Sequence, residues 1–213
     1  SVVKEMLRDV MMGTNSKGNA VIVTTFASHI ARLKTIMEFG RQLNRKVVFL
    51  GRSLGKYVGA AEDIKLVNFS KNLAMNGKYG KQIRAILKKV EKDGADKYLL
   101  VVTGHQGEPK STLSKMATGL LDFKFKPGDH VIFSSNIIPH PSNILDRQRL
   151  EAELRSFGVR IFKDIHVSGH PCREDLYEFI RLCKPKHLIP AHSEHDRMEK
   201  FMEFAETLGY KRG

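Results

Sequence analysis

Residues 19–51 read "NAVIVTTFASHIARLKTIMEFGRQLNRKVVFLG" and hold two short β-branched runs on either side of an amphipathic segment. The runs at 19–26 and 45–51 predict buried strands, and residues 28–43 predict a helix with Ser28 as its N-cap. A strand, a helix and a second strand in this order are typical of two parallel strands joined by a crossover helix.

The same alternation continues along the rest of the chain. Glycines at 94 and 158 mark the ends of two of the longer helical segments. The pattern predicts an α/β fold, with a mostly parallel sheet flanked by helices on both faces. Further helices are expected at 54–64, 79–94, 111–121, 142–158, 172–183 and 193–209, and further strands at 97–104, 127–136, 159–165 and 186–191.

The charge balance is strongly basic, with 36 Lys and Arg against 23 Asp and Glu and a formal net charge of +13 over 213 residues. This balance indicates a polyanionic partner, most often a nucleic acid, although a solvated basic surface gives the same count. The length allows one large domain or two small ones.

The chain shows no sign of membrane insertion or secretion. No apolar run approaches the roughly 20 residues that span a bilayer, and the first residues show no secretory signal. The two cysteines, Cys172 and Cys183, cannot form a zinc knuckle with each other, and a lone pair is typical of a reducing compartment. We therefore expect a cytoplasmic protein with no membrane partner.

Polar residues follow almost every predicted strand, in the loops "TTFASH", "GRS", "TGHQGEP", "SSN", "VSGH" and "PAHSEH". Ligands of open α/β sheets bind beyond the carboxyl ends of the strands, so these loops predict a functional edge. Turn and cap chemistry alone is the alternative. The "TGHQGEP" loop lacks the spacing of a P-loop. The candidate phosphate- or RNA-binding residues in the first loops are Ser28, His29, Thr103, Gly104, Glu108, Ser134, Ser135 and Asn136.

The loop "VSGHPCRED" precedes a helix that is expected to begin near Arg173. The hydroxyl of Ser168, the backbone N–H of Gly169 and the imidazole of His170 could together hold a phosphate, because the first N–H groups of a helix attract anions. In the alternative interpretation, Ser168 caps a turn and His170 packs against its neighbour.

The loop "PAHSEHD" places His192 after a short apolar run. A neutral imidazole there could bind a metal or transfer a proton, and Glu194 could hold its other ring nitrogen or cap the next helix. Zinc sites need about three or four ligands, so one histidine leaves the metal open on this evidence alone.

Five stretches together resemble ribonuclease J, in the β-CASP branch of the metallo-β-lactamase superfamily. They occur in the family's order, cover almost the whole chain and are closest in character to archaeal members. The stretches are "VIVTTFASHIARL", "VVTGHQGEPKSTLSKMA", "GDHVIFSSNIIP", "DIHVSGHPCREDL" and "KPKHLIPAHSEHDRM".

The resemblance implies a domain organisation and two catalytic residues. Residues 1–147 are expected to form a β-CASP domain, and residues 148–213 the C-terminal β/α portion of a metallo-β-lactamase fold. His170 matches the family's second β-CASP motif, whose loop holds a phosphate of the substrate, and His192 matches the third, whose histidine ligates zinc. The resemblance implies a zinc-dependent ribonuclease that hydrolyses RNA phosphodiesters with two metal ions, as a 5′-to-3′ exonuclease with endonuclease action as an additional expectation.

The family's main metal-binding signature, HxHxDH, is absent from the sequence. The resemblance therefore implies that the other zinc ligands belong to an N-terminal lactamase half, a partner in cis or in trans, and that this chain alone is inactive. A homodimer is a further expectation from the family. The sequence also departs from the family's pattern at His105, where serine is usual, and at Ser193, where glycine is usual.

Two other functions remain open from the residues. One is a non-catalytic nucleic-acid-binding module that uses the same groove without a metal. The other is a small-molecule α/β enzyme whose substrate carries a phosphate.

Overall fold

The computed structural model describes residues 2–167, 171–191 and 193–212. Backbone contacts divide the chain into two compact units, between Val167 and Ser168. The predicted boundary at residue 147 falls inside a helix of the first unit, and the identity of residues 148–213 as a lactamase segment stays a prediction. The first unit contains α1 (Val2–Gly13), β1 (Val21–Thr24), α2 (Ile30–Gln42), β2 (Lys46–Leu50), α3 (Arg52–Asp63), β3 (Met75–Gly77), α4 (Gly80–Asp93), a 3₁₀ turn (Ala95–Lys97), β4 (Tyr98–Val102), α5 (Thr112–Ala117), β5 (His130–Phe133), α6 (Pro141–Ser156) and β6 (Arg160–Phe162).

The strands form one six-stranded sheet in the order β3-β2-β4-β1-β5-β6, and every neighbouring pair is parallel. The α/β prediction is confirmed, and its five strands in this unit appear as β1, β2, β4, β5 and β6 with shorter bounds. The sequence analysis missed β3, whose residues Met-Asn-Gly include none of the β-branched types that favour strands. Pairing of Met75 with Val48 of β2 holds β3 at the edge of the sheet.

The two faces of the sheet carry separate apolar cores, because successive strand residues point to opposite sides. Ile22, Leu100 and Val131 lie in one register row and face the core formed with α4, α5 and α6. Val23 and Val101 face the other core, which α1, α2 and α3 cover. Strands buried on both faces explain the nearly continuous apolar runs in the sequence.

The connections leave the central strand β1 and its neighbours in opposite directions. The chain passes from β1 to α2 on one face of the sheet, whereas β4 and β5 continue into α5 and α6 on the other face. Such a reversal opens a crevice at the carboxyl ends of the strands. The loops after β1, β4 and β5, which the sequence analysis singled out, therefore meet at one place.

The second unit contains α7 (Arg173–Cys183) and α8 (His195–Thr207) in its described part. The predicted strand at 186–191 is wrong for the described residues, which have no regular structure there. A strand needs a neighbour that takes its backbone hydrogen bonds, and no strand is present in the described part of this unit. The residue before this segment, Pro185, is held instead by Tyr210, whose hydroxyl donates to its carbonyl oxygen at 2.9 Å.

Both cysteines are free and exposed. Within the described ranges, none of the helices combines the length and the apolar character needed to cross a bilayer.

Candidate functional site

The crevice beside β1 is bounded first by hydroxyl-bearing residues at the ends of β1 and β5. Thr25 is buried and donates from Oγ1 to the carbonyl oxygen of Ser134 at 2.9 Å. Ser134 in turn donates from Oγ to the carbonyl oxygen of Ile165, after β6, at 3.0 Å. The predicted ligand Ser134 thus uses its hydroxyl to connect two neighbouring strand ends.

Ser135 and Asn136 continue the same loop in different environments. Ser135 is buried, and its Oγ has no hydrogen-bond partner among the residues that the structure describes. Asn136 is exposed, and its backbone oxygen accepts a hydrogen bond from Nε2 of Gln106 at 2.9 Å. A buried hydroxyl without a partner is costly unless something else satisfies it, so Ser135 is the stronger candidate ligand of the two.

The loop after β4 is braced by the residues that the sequence analysis proposed as ligands. Thr103 Oγ1 lies 3.1 Å from Thr112 Oγ1 and also accepts the backbone N–H of Thr112 at 3.2 Å. Gly104 has a φ of +129°, and a Cβ there would lie 2.7 Å from Ser111 Oγ. Glu108 accepts the backbone N–H of Gln106 at 3.0 Å. All three predicted residues therefore shape the loop.

His105 joins the loop after β4 to the loop after β1. Its ring stacks at a tilt on Phe26 with 4.1 Å between the centroids, and its Nδ1 lies 3.9 Å from a carboxylate oxygen of Glu108. Burial lowers the pKa of His105; Glu108 works against this shift, and nearby Arg147 adds to it. The imidazole of His105 is thus mostly buried, and its environment favours the neutral ring.

The start of α2 differs from the prediction. The N-cap is His29, whose Nδ1 accepts the backbone N–H of Arg32 at 3.3 Å, and Ser28 is exposed in the preceding turn. The same N–H also donates to the carbonyl oxygen of His29 at 3.0 Å, and the hydroxyl of Ser28 takes no part in the cap. Burial and, second, the charge of Arg32 lower the pKa of His29.

The sequence analysis missed four residues that organise this edge: Phe26, Arg32, Gln106 and His166. Gln106 joins two loops, because it donates to Asn136 and its Oε1 accepts the backbone N–H of Ile138 at 2.8 Å. The guanidinium of Arg32 lies 3.1 Å from Nδ1 of His166. In the sequence, their only signal was that they lie near proposed ligands. The contact between Arg32 and His166 could not be predicted, because the two residues are far apart along the chain.

Four predicted site residues, Ser168, Gly169, His170 and His192, lie outside the described residues. Their roles as phosphate ligands and as a zinc ligand stay predictions. Across the described segments, no three His, Cys, Asp or Glu side chains come together in a group that could hold a metal ion. The described residues therefore do not form a metal site by themselves.

The fold and its polar edge define an α/β domain that offers a ligand site at a topological switch point. A family model described as "Ribonuclease J, beta-CASP domain" matches residues 18–148, and a model described as "Zn-dependent metallo-hydrolase RNA specificity domain" matches residues 159–211. The chain belongs to the ribonuclease J family.

Proteins named ribonuclease J match over the whole chain. The protein from Methanocaldococcus jannaschii is 41% identical over 208 residues, which cover 98% of this chain and 46% of that protein. The protein from Pyrococcus abyssi is 39% identical over 213 residues, which cover 100% of this chain and 46% of that protein. The chain thus spans about half the length of these relatives.

Proposed function

We propose that this chain forms the RNA-binding portion of a zinc-dependent ribonuclease that hydrolyses RNA phosphodiesters. The observation that carries the proposal is the polar edge at the carboxyl end of β1, where the loops after β1, β4 and β5 contact one another and the buried hydroxyl of Ser135 lacks a partner among the described residues. Such a hydroxyl suits a polyanion, because it can donate to a phosphate oxygen. The family membership and the net charge of +13 support the same substrate class.

The finer assignment follows the family motifs. Ser168, Gly169 and His170 would hold a phosphate of the RNA, and His192 would provide one zinc ligand. The family's HxHxDH signature does not occur in this sequence, so the remaining ligands would come from a lactamase half supplied in cis or in trans. We propose 5′-to-3′ exonuclease action, with endonuclease cleavage as an additional activity. A homodimer also stays a prediction.

Reconstitution tests this function directly. The chain is mixed with the separately expressed lactamase portion of a relative such as the protein from M. jannaschii, and cleavage of 5′-labelled single-stranded RNA is followed with and without added zinc. We expect zinc-dependent cleavage that is lost in His192→Asn and His170→Asn variants. A circular RNA of the same sequence separates the two activities, because only an endonuclease can open it.

The matched control for these variants is His195→Asn, since this histidine is exposed at the start of α8 and forms no part of the proposed site. Cleavage by the control should equal that of the unmodified chain. A well-folded reconstituted complex that binds zinc and never cleaves RNA would contradict the proposed function.

A non-catalytic RNA-binding module is the second candidate, and the net charge of +13 favours it. Under this hypothesis the chain alone binds RNA through counterion release. If about four phosphates are neutralised, the affinity for single-stranded RNA falls about 50-fold between roughly 50 and 200 mM salt. Fluorescence anisotropy measures this slope, and a chelator should leave it unchanged. An affinity that is flat with salt would exclude this module.

A further inference from the structure

Arg32 connects three parts of the first unit through one buried side chain, which is 6% exposed. Its Nη1 donates to the carbonyl oxygen of Ser134 at 2.6 Å and lies 3.1 Å from Nδ1 of His166. Its backbone N–H donates to Nδ1 of His29. The residue thus links the start of α2, the end of β5 and the segment that follows β6.

The guanidinium lacks the partner that a buried charge usually has. Within the part of the chain that the structure describes, no carboxylate lies within ion-pair distance of Arg32. Burial lowers the pKa of Arg32, and no neighbouring acid opposes this shift. A buried charge without a counter-ion costs stability, and ion pairing does not explain this one.

The guanidinium of Arg32 also fixes the state of the His166 imidazole. A guanidinium can only donate, so Nδ1 of His166 must accept and the ring proton of His166 lies on Nε2. Burial, then Arg32 and then His29 lower the pKa of His166. Lys4 of α1 lines the same cavity of about 270 Å³ as His29 and Arg32, but it is paired with Glu38 at 2.9 Å.

The segment after β6 is held at two consecutive residues. Ser134 Oγ binds the carbonyl oxygen of Ile165, and Arg32 binds the ring of His166. Residues 168–170 follow directly along the chain and are the proposed phosphate ligands.

We propose that Arg32 is a positioning residue for RNA binding, because its side chain ties the segment after β6 to the end of β5 and holds His166 as a neutral Nε2–H donor. This inference rests on the proposed function. Arg32 acts through these neighbours, so its loss should change the state of His166 together with the affinity for RNA.

The test compares Arg32→Gln and Arg32→Lys with Arg41→Gln, a matched control that removes one charge from an exposed position on the same helix. RNA affinity is measured by anisotropy with a 5′-phosphorylated single strand at fixed salt. Nitrogen-detected NMR of the histidines reports the tautomer and the titration of His166, assigned with His166→Gln. We expect Arg32→Gln to lose about ten-fold more affinity than Arg41→Gln, since charge-assisted hydrogen bonds are lost.

In Arg32→Gln, His166 should show a mixture of tautomers, and its pKa should move back toward the ordinary value of a histidine. Arg32→Lys should fall between the two, because a lysine keeps the charge but its ammonium does not reach the position of Nη1 with the same geometry. A folded Arg32→Gln that matches Arg41→Gln in affinity would overturn the proposal. If Arg32→Gln does not fold, an Arg32→Lys protein with unchanged affinity and an unchanged His166 tautomer would overturn it.

The two proposals fail separately in this experiment. If the unmodified chain binds no RNA, the proposed RNA-binding function fails. The nitrogen signals of His166 still report whether Arg32 sets its tautomer, and an unaltered tautomer in Arg32→Gln removes the positioning role.

Discussion

Replacing Glu151 by alanine is expected to lower the free energy of unfolding of the first unit by about 3–5 kcal/mol, because it strands a buried guanidinium without its counter-ion. Glu151 lies in α6 with its side chain 8% exposed, and its Oε1 forms an ion pair with Nε of Arg147 at 3.0 Å. Arg147 is 2% exposed, and burial, opposed by Glu151, lowers its pKa to about 10. Urea unfolding, followed by the NMR amide signals of β1 and β4, measures the change.

Arg147 explains why this pair matters for the crevice as well as for stability. Its Cζ lies 3.2 Å from the centre of the Phe133 ring, and its Nη1 donates to the carbonyl oxygen of His105 at 2.7 Å. The Glu151→Ala variant should therefore loosen the loop after β4. Hydrogen exchange at the amides of residues 105–107 should rise more than exchange in β2.

Arg155 provides the matched control, because it binds the same carboxylate at 2.7 Å from a side chain that is 55% exposed. Its replacement by alanine should cost about 0–1 kcal/mol, as is usual for exposed ion pairs. An equal loss for Arg155→Ala and Glu151→Ala would mean that the buried pair contributes no more than an exposed one.

The sequence predicted the parallel sheet well, because strands buried on both faces carry an unmistakable apolar pattern. "YLLVV" at 98–102 is buried at every position and forms β4. The two errors in the strand prediction, at 186–191 and at β3, have the same cause. Whether a segment forms a strand depends on partners that lie far along the chain. The run at 186–191 looked apolar enough and has no neighbour in the described part of its unit, whereas β3 looks unlike a strand and pairs with β2.

The candidate site was predicted in its location and only partly in its contacts. Parallel strands carry their loops to a common edge, so Thr103, Ser134 and His29 could be grouped from the sequence. The sequence could not show that the hydroxyl of Ser134 donates to the carbonyl oxygen of Ile165, or that the guanidinium of Arg32 contacts the ring of His166. In α6, Arg147 and Glu151 have the spacing of an ordinary surface ion pair, and only the packing shows that they are buried.

A second large effect is expected at Gly107, in the loop after β4. Its φ is +82°, and a Cβ there would lie 2.4 Å from the backbone nitrogen of Arg147. The left-handed conformation costs an alanine about 1–2 kcal/mol, and a backbone clash that a rotamer change cannot relieve adds about 1–3 kcal/mol. We expect Gly107→Ala to destabilise the first unit by about 3 kcal/mol, as measured by urea unfolding.

Two other glycines separate the causes of this effect. Gly119 has a φ of +71° with open space around it, so Gly119→Ala reports the cost of the backbone conformation alone. Gly59 lies in α3 and also has open space around it, so Gly59→Ala should stabilise the unit by up to about 1 kcal/mol. If Gly107→Ala costs no more than Gly119→Ala, the loop can move away from α6 without loss. The contacts from Gln106 to Asn136 and from Arg147 to His105 would then not hold the crevice in shape.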